Sequence, residues 1–562
     1  MFDSDRESRI KNRESRIKNQ VCCVLIVGAA ILALALRLPR LQQRPMHTDE
    51  AVHAIKFGEL LEQGLYTYNP YEFHGPTLNY LTLIPAWLSS TKELIEASEF
   101  TLRIVPVFFG VLLVLLLLLI IDGLGPSSTV YVAILTAISP AMVFYSRYYI
   151  QETLLVCFTF GAITCGYRYT QNKNIIWALL TGICLGLMHA TKETCVIIFA
   201  SMMLAILLTL CVRRQKTEVR GQKTEDKRQM FCLPSSVIRH RFLCHLIVGL
   251  STGALISVLF YSSFFTNPNG ILDSFRTYAT YFDRATTDSL HFHPWYYYLK
   301  MLIYSRYAAD PAWSEALIVC LAVVGFIVVV IRRMPYGRAK NLTNVDFNLL
   351  RFIAFYTLIM TVVYSAIRHK TPWCMLGFLH GMILLAGVGA AALIKLTSNI
   401  LARTIISLLL LTGGAHLAWQ AYLANYRYYA DPRNPYVYAH TTMDVFTMVQ
   451  RVEEIAEVHE DGNKMEIHFI CPDEHDFWPF PWYLRSFPNV GYWNTVTDRV
   501  VSASVIIASP SVEQELLSRL YELPPPGQKR LYAPLFDTYM EVRPQIELRG
   551  YVPKELWDRF RQ

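Results

Sequence analysis

Charge is scarce in this chain. Of its 562 residues 17% are Asp, Glu, Lys or Arg and 53% are hydrophobic, with a mean hydropathy of +0.29. A soluble domain carries about 25% charged residues. The apolar surplus falls in long runs rather than alternating faces, which excludes a soluble globular protein and marks a polytopic membrane protein. Paired cysteines are missing too. Of the 12 cysteines, most lie inside apolar runs, among them Cys157, Cys165, Cys184, Cys195, Cys211 and Cys320, with neither framework spacing nor CxxC. That excludes a disulfide scaffold and leaves buried thiols. There is no basic domain: the formal charge of +8 comes from short segments between apolar runs, where basic residues orient a chain in a membrane, so nucleic acid is not a partner. Finally, no polar small-residue cleavage site precedes Arg40, so the first run is a signal anchor rather than a removable signal peptide.

The apolar runs cover 21–38, 102–121, 130–143, 153–167, 176–188, 195–212, 243–265, 316–331, 352–367, 374–394 and 405–418, which makes about eleven crossings. The expected fold is a polytopic α-helical membrane protein followed by an extracytoplasmic α/β domain. Residues 1–20, with the tandem Arg-Glu-Ser-Arg-Ile-Lys-Asn, read as a basic cytoplasmic tail. Residues 21–420 are the transmembrane domain, with external loops at 40–100 and 266–313. Residues 421–562 supply strand-like and helix-like stretches for a soluble outer domain of about 130 residues. The basic inserts 213–241 and 332–340 both fall on the inner side, so charge and span count agree on an inside N-terminus in the cytoplasmic membrane and an outside C-terminus. Asn341-Leu342-Thr343 matches a glycan acceptor but lies inside.

Chemistry concentrates at the outer ends of the runs. Met46-His47-Thr48-Asp49-Glu50-Ala51-Val52-His53 sets two adjacent carboxylates just past the first run, where a carboxylate can take a proton from a substrate arriving from membrane or water. A helix is expected over 51–63, capped by Thr48 or Asp49, with Asp49, His53 and Lys56 on one side. Tyr66, Tyr68, Tyr71 and Phe73 then lead into His74-Gly75-Pro76 and a short interfacial helix at 77–88. The outer connections carry Arg147 and Glu152, Lys192 and Glu193, and Arg368 and Lys370 beside Trp373. Outer positive charges run against the orientation bias of the rest of the chain, and a phosphate at the membrane surface gives them a local reason. Their other explanation is snorkelling and pairing with Glu152 and Glu193. His47, His53, His74, His291 and His293 share no recognised metal spacing; interfacial hydrogen bonding is the better reading, and a divalent metal stays an open alternative. The aromatic stretch Trp478-Pro479-Phe480-Pro481-Trp482-Tyr483-Leu484-Arg485 suits core packing, or docking on a membrane or a sugar.

Together HTDEAVHA, GLYTYNPYEFHGPTLNY, SRYYIQE, HATKE, RHKTPW and WPFPWYLR resemble the GT-C glycosyltransferases of the protein O-mannosyltransferase and lipid A aminoarabinose transferase type. They look closer still to the flippase activity-associated membrane proteins of archaeal-type N-glycosylation loci. The resemblance covers almost the whole chain. It implies a GT-C fold, a polyprenyl-phosphate-linked sugar as donor, inversion at the anomeric carbon, and a protein or glycolipid acceptor. Asp49 would be the catalytic base, with Glu50 orienting it or a bound ion. Arg368 and Lys370, backed by Lys192 and Arg147, would hold the donor phosphate. His53, His74, Tyr71, Glu152, Glu193 and Trp373 would line the substrate site. His74-Gly75-Pro76 stands where transferase relatives often carry Lys-Pro-Pro. The alternative is a lipid-linked sugar flippase or its accessory protein, for which polar residues deep in several spans are expected and few are found.

Overall fold

The structure, a computed structural model, describes residues 2–71, 74–221, 236–286, 291–307, 311–331, 345–522, 524–525, 527 and 529–562. Phe73, residues 222–235 of the basic insert 213–241, the basic segment 332–340 and the Asn341 acceptor pattern lie outside the described residues. The chain divides into two compact units. The first comprises Met1–Pro39, Leu65–Leu81 and Arg103–Arg427, and the second Arg40–Gly64, Thr82–Leu102 and Tyr428–Gln562.

Each of the eleven apolar runs is helical. Among the described residues, seven helices are long and apolar enough to cross a membrane, and Pro126–Ile138, Ile175–His189 and Ala316–Ile331 are shorter apolar ones. The protein is thus a multi-pass membrane protein. Two boundaries differ from the sequence pattern. The basic tandem is drawn into the first helix, which runs Phe2–Arg37 without a break. The run 130–143 is interrupted, because Pro140 has no N–H to donate and Ser139 caps a new turn by accepting from the Met142 amide. Elsewhere side chains set the helix starts: Asn174 accepts from Ile176, Asp346 from Asn348 and Leu349, and Asn399 from Leu401 and Ala402.

Backbones approach closely where glycines recur every fourth residue. A Cβ on Gly182 would sit 2.1 Å from the Gly249 carbonyl oxygen, and one on Gly186 2.4 Å from that of Gly253. In lipid, where no hydrophobic drive brings helices together, small-residue contact of this kind holds the pair. At one end of the first unit Arg168 pairs with Asp122 at 3.0 Å and Gln171 reaches Asp346 at 3.2 Å.

The second unit is built on seven strands: β1 Ile467–Ile470, β2 Val490–Trp493, β3 Val505–Ala508, β4 Tyr532–Pro534, β5 Glu541–Arg543, β6 Ile546–Glu547 and β7 Arg549–Pro553. Five form a sheet in the order β2-β1-β3-β7-β4, in which β1 is parallel to β2 and β3, and β7 is antiparallel to β3 and β4. Met448, Val452 and Ile455 of helix Asp444–Val458 pack against one face with Ile467, Phe469, Val505 and Ile507. Residues 40–64 and 82–102 are integral to this unit. Fully buried Trp482 donates its indole N–H to Glu99 at 3.0 Å, and Arg485 stacks on Trp482 while bonding the carbonyls of Leu94 and Ala97. The stretch 478–485 therefore places Phe480 and Trp482 in the core, and of its three expected uses packing is the one observed.

Candidate active site

In the second unit, the helix carrying the paired acids spans Thr48–Gln63, and its cap is His47 rather than Thr48 or Asp49. His47 Nδ1 accepts from the Asp49 amide at 3.0 Å and the Glu50 carboxylate accepts from the His47 amide at 3.0 Å, so two orphan donors of the first turn are satisfied reciprocally. With Nδ1 an acceptor, the ring's proton sits on Nε2, which donates to the Tyr438 carbonyl at 3.2 Å. The two acids thereby separate. Glu50 is fully buried, with Arg44 3.7 Å away, whereas the Asp49 side chain is 44% exposed. His53 and Lys56 share the helix but are buried, and Lys56 pairs with Glu59 at 2.5 Å.

This start is clamped by residues about 400 or more positions away. The Tyr483 hydroxyl accepts from the Met46 amide at 2.8 Å, Thr441 Oγ1 donates to the Met46 carbonyl at 2.6 Å, and Arg543 reaches the Thr48 hydroxyl at 3.3 Å while paired with Asp476 at 2.6 Å. Tyr483 lies in a stretch the sequence made conspicuous. Thr441 and Arg543 carry no local signal, because their role exists only in the folded unit.

In the first unit four of the motifs converge. The Thr77 amide and hydroxyl both bond the Ala190 carbonyl, at 3.2 and 2.5 Å, and a Cβ on Gly75 would lie 2.2 Å from that oxygen, so the His74-Gly75-Pro76 loop can seat on the 190–193 turn only with glycine there. Tyr149 donates to Asn79 at 3.4 Å. Buried Glu193 accepts from Tyr68 at 3.1 Å and holds His74 Nδ1 at 2.9 Å. Lys192 forms a buried ion pair with Glu152, and both line a small pocket with Thr194, Tyr364, Trp373 and Cys374. Tyr71 is exposed.

The four cations named from the sequence are not equivalent. Arg147 is buried and donates to the carbonyls of Arg37 and Pro39 at 2.6 and 2.8 Å, with its plane over Tyr426. The Lys192 ammonium is taken by Glu152. Lys370 is buried, donating to the carbonyls of Ile367 and His293, and burial pulls its ammonium below the usual lysine range. Of the four only Arg368 is exposed. Its turn bonds to the 291–293 segment, His293 N–H donating to the Arg368 carbonyl at 3.1 Å beside an isolated bridge between Phe292 and His369, which joins two motifs 77 residues apart. Among the described residues no group of three or more His, Cys, Asp or Glu is arranged to hold a metal ion.

Glu193 makes a pH prediction. Burial alone would raise its carboxyl, but His74 and then Lys192 overcome that and hold it below the ordinary carboxylate range. A depressed carboxylate contributes stability that is complete above its unfolded pKa, about 4.3, and is lost as pH falls through the folded value. Glu193→Gln is expected to lower the melting temperature in detergent at neutral pH, with the gap to wild type closing below about pH 4. A gap that stays constant with pH would mean that Glu193 does not act as a paired carboxylate.

Residues 80–267 match the model of the dolichyl-phosphate-mannose-protein mannosyltransferase family. ArnT from Cupriavidus metallidurans in the apo state superposes with a TM-score of 0.58 at 12% identity, over 94% of this chain and 97% of that one. ArnT bound to undecaprenyl phosphate superposes at 0.55 and 13%, with the same coverage. The oligosaccharyltransferase AglB from Archaeoglobus fulgidus, in complex with an inhibitory peptide and a dolichol-phosphate, superposes at 0.51 and 10%, over 89% of this chain and 70% of that one. No curated protein matches by sequence. The family match covers residues 80–267, a third of the chain, and the superpositions show that the chain shares the membrane-embedded GT-C fold of these transferases.

Proposed function

We propose that the protein transfers a sugar, with inversion, from a polyprenyl-phosphate-linked donor to an acceptor hydroxyl on a protein or glycolipid at the outer side of the cytoplasmic membrane. The donor class is supported by ArnT bound to undecaprenyl phosphate and by AglB with dolichol-phosphate and a peptide. The observation that carries the reading is the division between the two acids: a capping box buries Glu50 as a structural carboxylate and leaves Asp49 accessible on a fixed helix start. Asp49 takes the acceptor's proton as its oxygen bonds to the anomeric carbon, and the carbon–oxygen bond to the departing polyprenyl phosphate breaks with its electron pair.

The departing phosphate needs a cation, often the larger contribution in such transfers. Arg368 is assigned that role because it is the exposed member of the set. Lys370 shapes its turn, and Arg147 and Lys192 brace the connections behind it. His74, Glu193, Tyr71, Glu152, Trp373 and His53 are assigned to shaping the substrate site rather than to chemistry.

Purified protein incubated with a panel of polyprenyl-phosphate sugars is expected to release polyprenyl phosphate with one of them. A flippase or accessory protein would leave every donor intact. Arg368→Ala is expected to cost roughly ten- to a hundredfold in kcat/KM for the donor, the value of a hydrogen bond to a charged group. Arg368→Lys keeps the charge but loses the two-pronged contact and recovers in part. Unchanged donor kinetics in Arg368→Ala would remove it from the phosphate site.

A further inference from the structure

Helix Asn269–Thr286 is packed the wrong way round for a helix in water. Gly270, Ser274 and Thr277, at spacings of four and three, are buried. A Cβ on Gly270 would lie 2.0 Å from the Tyr261 carbonyl oxygen, and Thr277 Oγ1 donates to the Pro70 carbonyl at 3.1 Å. About 180° round the same helix, Leu272 and Phe275 are 58% and 62% exposed, flanked by exposed Ala279 and by Arg276, which pairs with Asp273 at 3.0 Å. The small polar side thus faces protein and the apolar side faces out.

The turn before it repeats the pattern. Ser263, Phe264 and Phe265 have φ of 50°, 55° and 72°, three successive residues in the left-handed region that L side chains avoid. Bonds from the Phe264 amide to the Leu259 carbonyl and from the Phe265 amide to Ser262 Oγ hold it. The strained turn leaves Phe264 and Phe265 53% and 65% exposed. Strain kept by such bonds marks a position that serves something other than stability. Immediately upstream, the span His240–Tyr261 buries Gly249 and Gly253 on one side and leaves Leu246, Ile247, Leu250 and Leu255 exposed. The outward apolar surface therefore continues from that span, through the two phenylalanines, onto Leu272 and Phe275.

We propose that residues 264–279 lie in the bilayer's interfacial zone, with Phe264, Phe265, Leu272 and Phe275 against lipid at the boundary of headgroups and acyl chains. Continuity with the span's lipid-facing surface selects lipid over a protein partner. The segment is also the depth gauge of the site end. Ser263 Oγ accepts from the Tyr66 amide at 3.0 Å and bonds the Tyr80 hydroxyl at 2.5 Å, so the loop carrying Tyr68 and His74 is tied to it.

The test places a tryptophan at Phe275, or at Leu272 as a second variant, in full-length protein in lipid nanodiscs. The reading is emission above that of the wild type. Added emission that is blue-shifted, and quenched more by phosphatidylcholine brominated near the headgroup end of its acyl chains than near their tips, is expected. Emission quenched by aqueous acrylamide and untouched by either bromolipid would overturn the proposal by placing the helix in water. A bromolipid-insensitive, blue-shifted emission that depends on protein concentration would overturn it in favour of contact with a second copy.

Discussion

Asp49→Asn is expected to abolish transfer, by at least the roughly 10²–10⁴-fold that a general base supplies, while the protein still accumulates folded in the membrane. The change neutralises one half-exposed carboxylate, 3.8 Å from the His47 ring, in a first helical turn, an electrostatic loss of about 0.3–1 kcal/mol. Glu50→Gln is the partner experiment. Glutamine still serves a capping box, so the helix start and Asp49's position survive, and transfer is expected to stay within about tenfold of wild type. The pair tests the assignment through the burial difference that motivates it. Normal turnover in Asp49→Asn would remove Asp49 from the mechanism; an inactive Glu50→Gln beside an active Asp49→Asn would exchange the roles of the two acids.

The second large effect is on stability. Lys192→Met leaves the Glu152 carboxylate buried without its counter-ion, a change that costs about 3–5 kcal/mol when one member of a buried pair is removed. The melting temperature in detergent should fall steeply. In Lys192→Met with Glu152→Leu, both charges are gone and stability should return close to wild type, since well-packed apolar replacements of a buried pair are often neutral. Transfer should return with it, because the ammonium is spent on Glu152 rather than on substrate. A double variant that is stable but inactive would restore Lys192 to the phosphate site.

Much of this architecture was legible in the sequence because its signals are local. Eleven apolar runs became helices, since a segment in hydrocarbon must satisfy its own backbone. The helices at 48–63 and 77–88 fell within a few residues of their expected places. The departures have local physical causes that composition understates, such as Pro140 splitting a run and His47 taking the cap from its neighbours. The motif list also held the loops that meet in space, yet which loop meets which was invisible: that His74 closes on Glu193, and that His293 bonds the Arg368 carbonyl, requires the fold.

Charge and hydropathy by themselves determined that the chain is embedded in a membrane, where its polar ends gather, and which residue types stand there, because transfer energies act residue by residue along the chain. Only the tertiary structure decided which of those charges are buried in pairs and which stay accessible. Burial divides Asp49 from Glu50 and Arg368 from Arg147, Lys192 and Lys370, and burial is a property of neighbours brought from hundreds of positions away, which no window on the sequence contains.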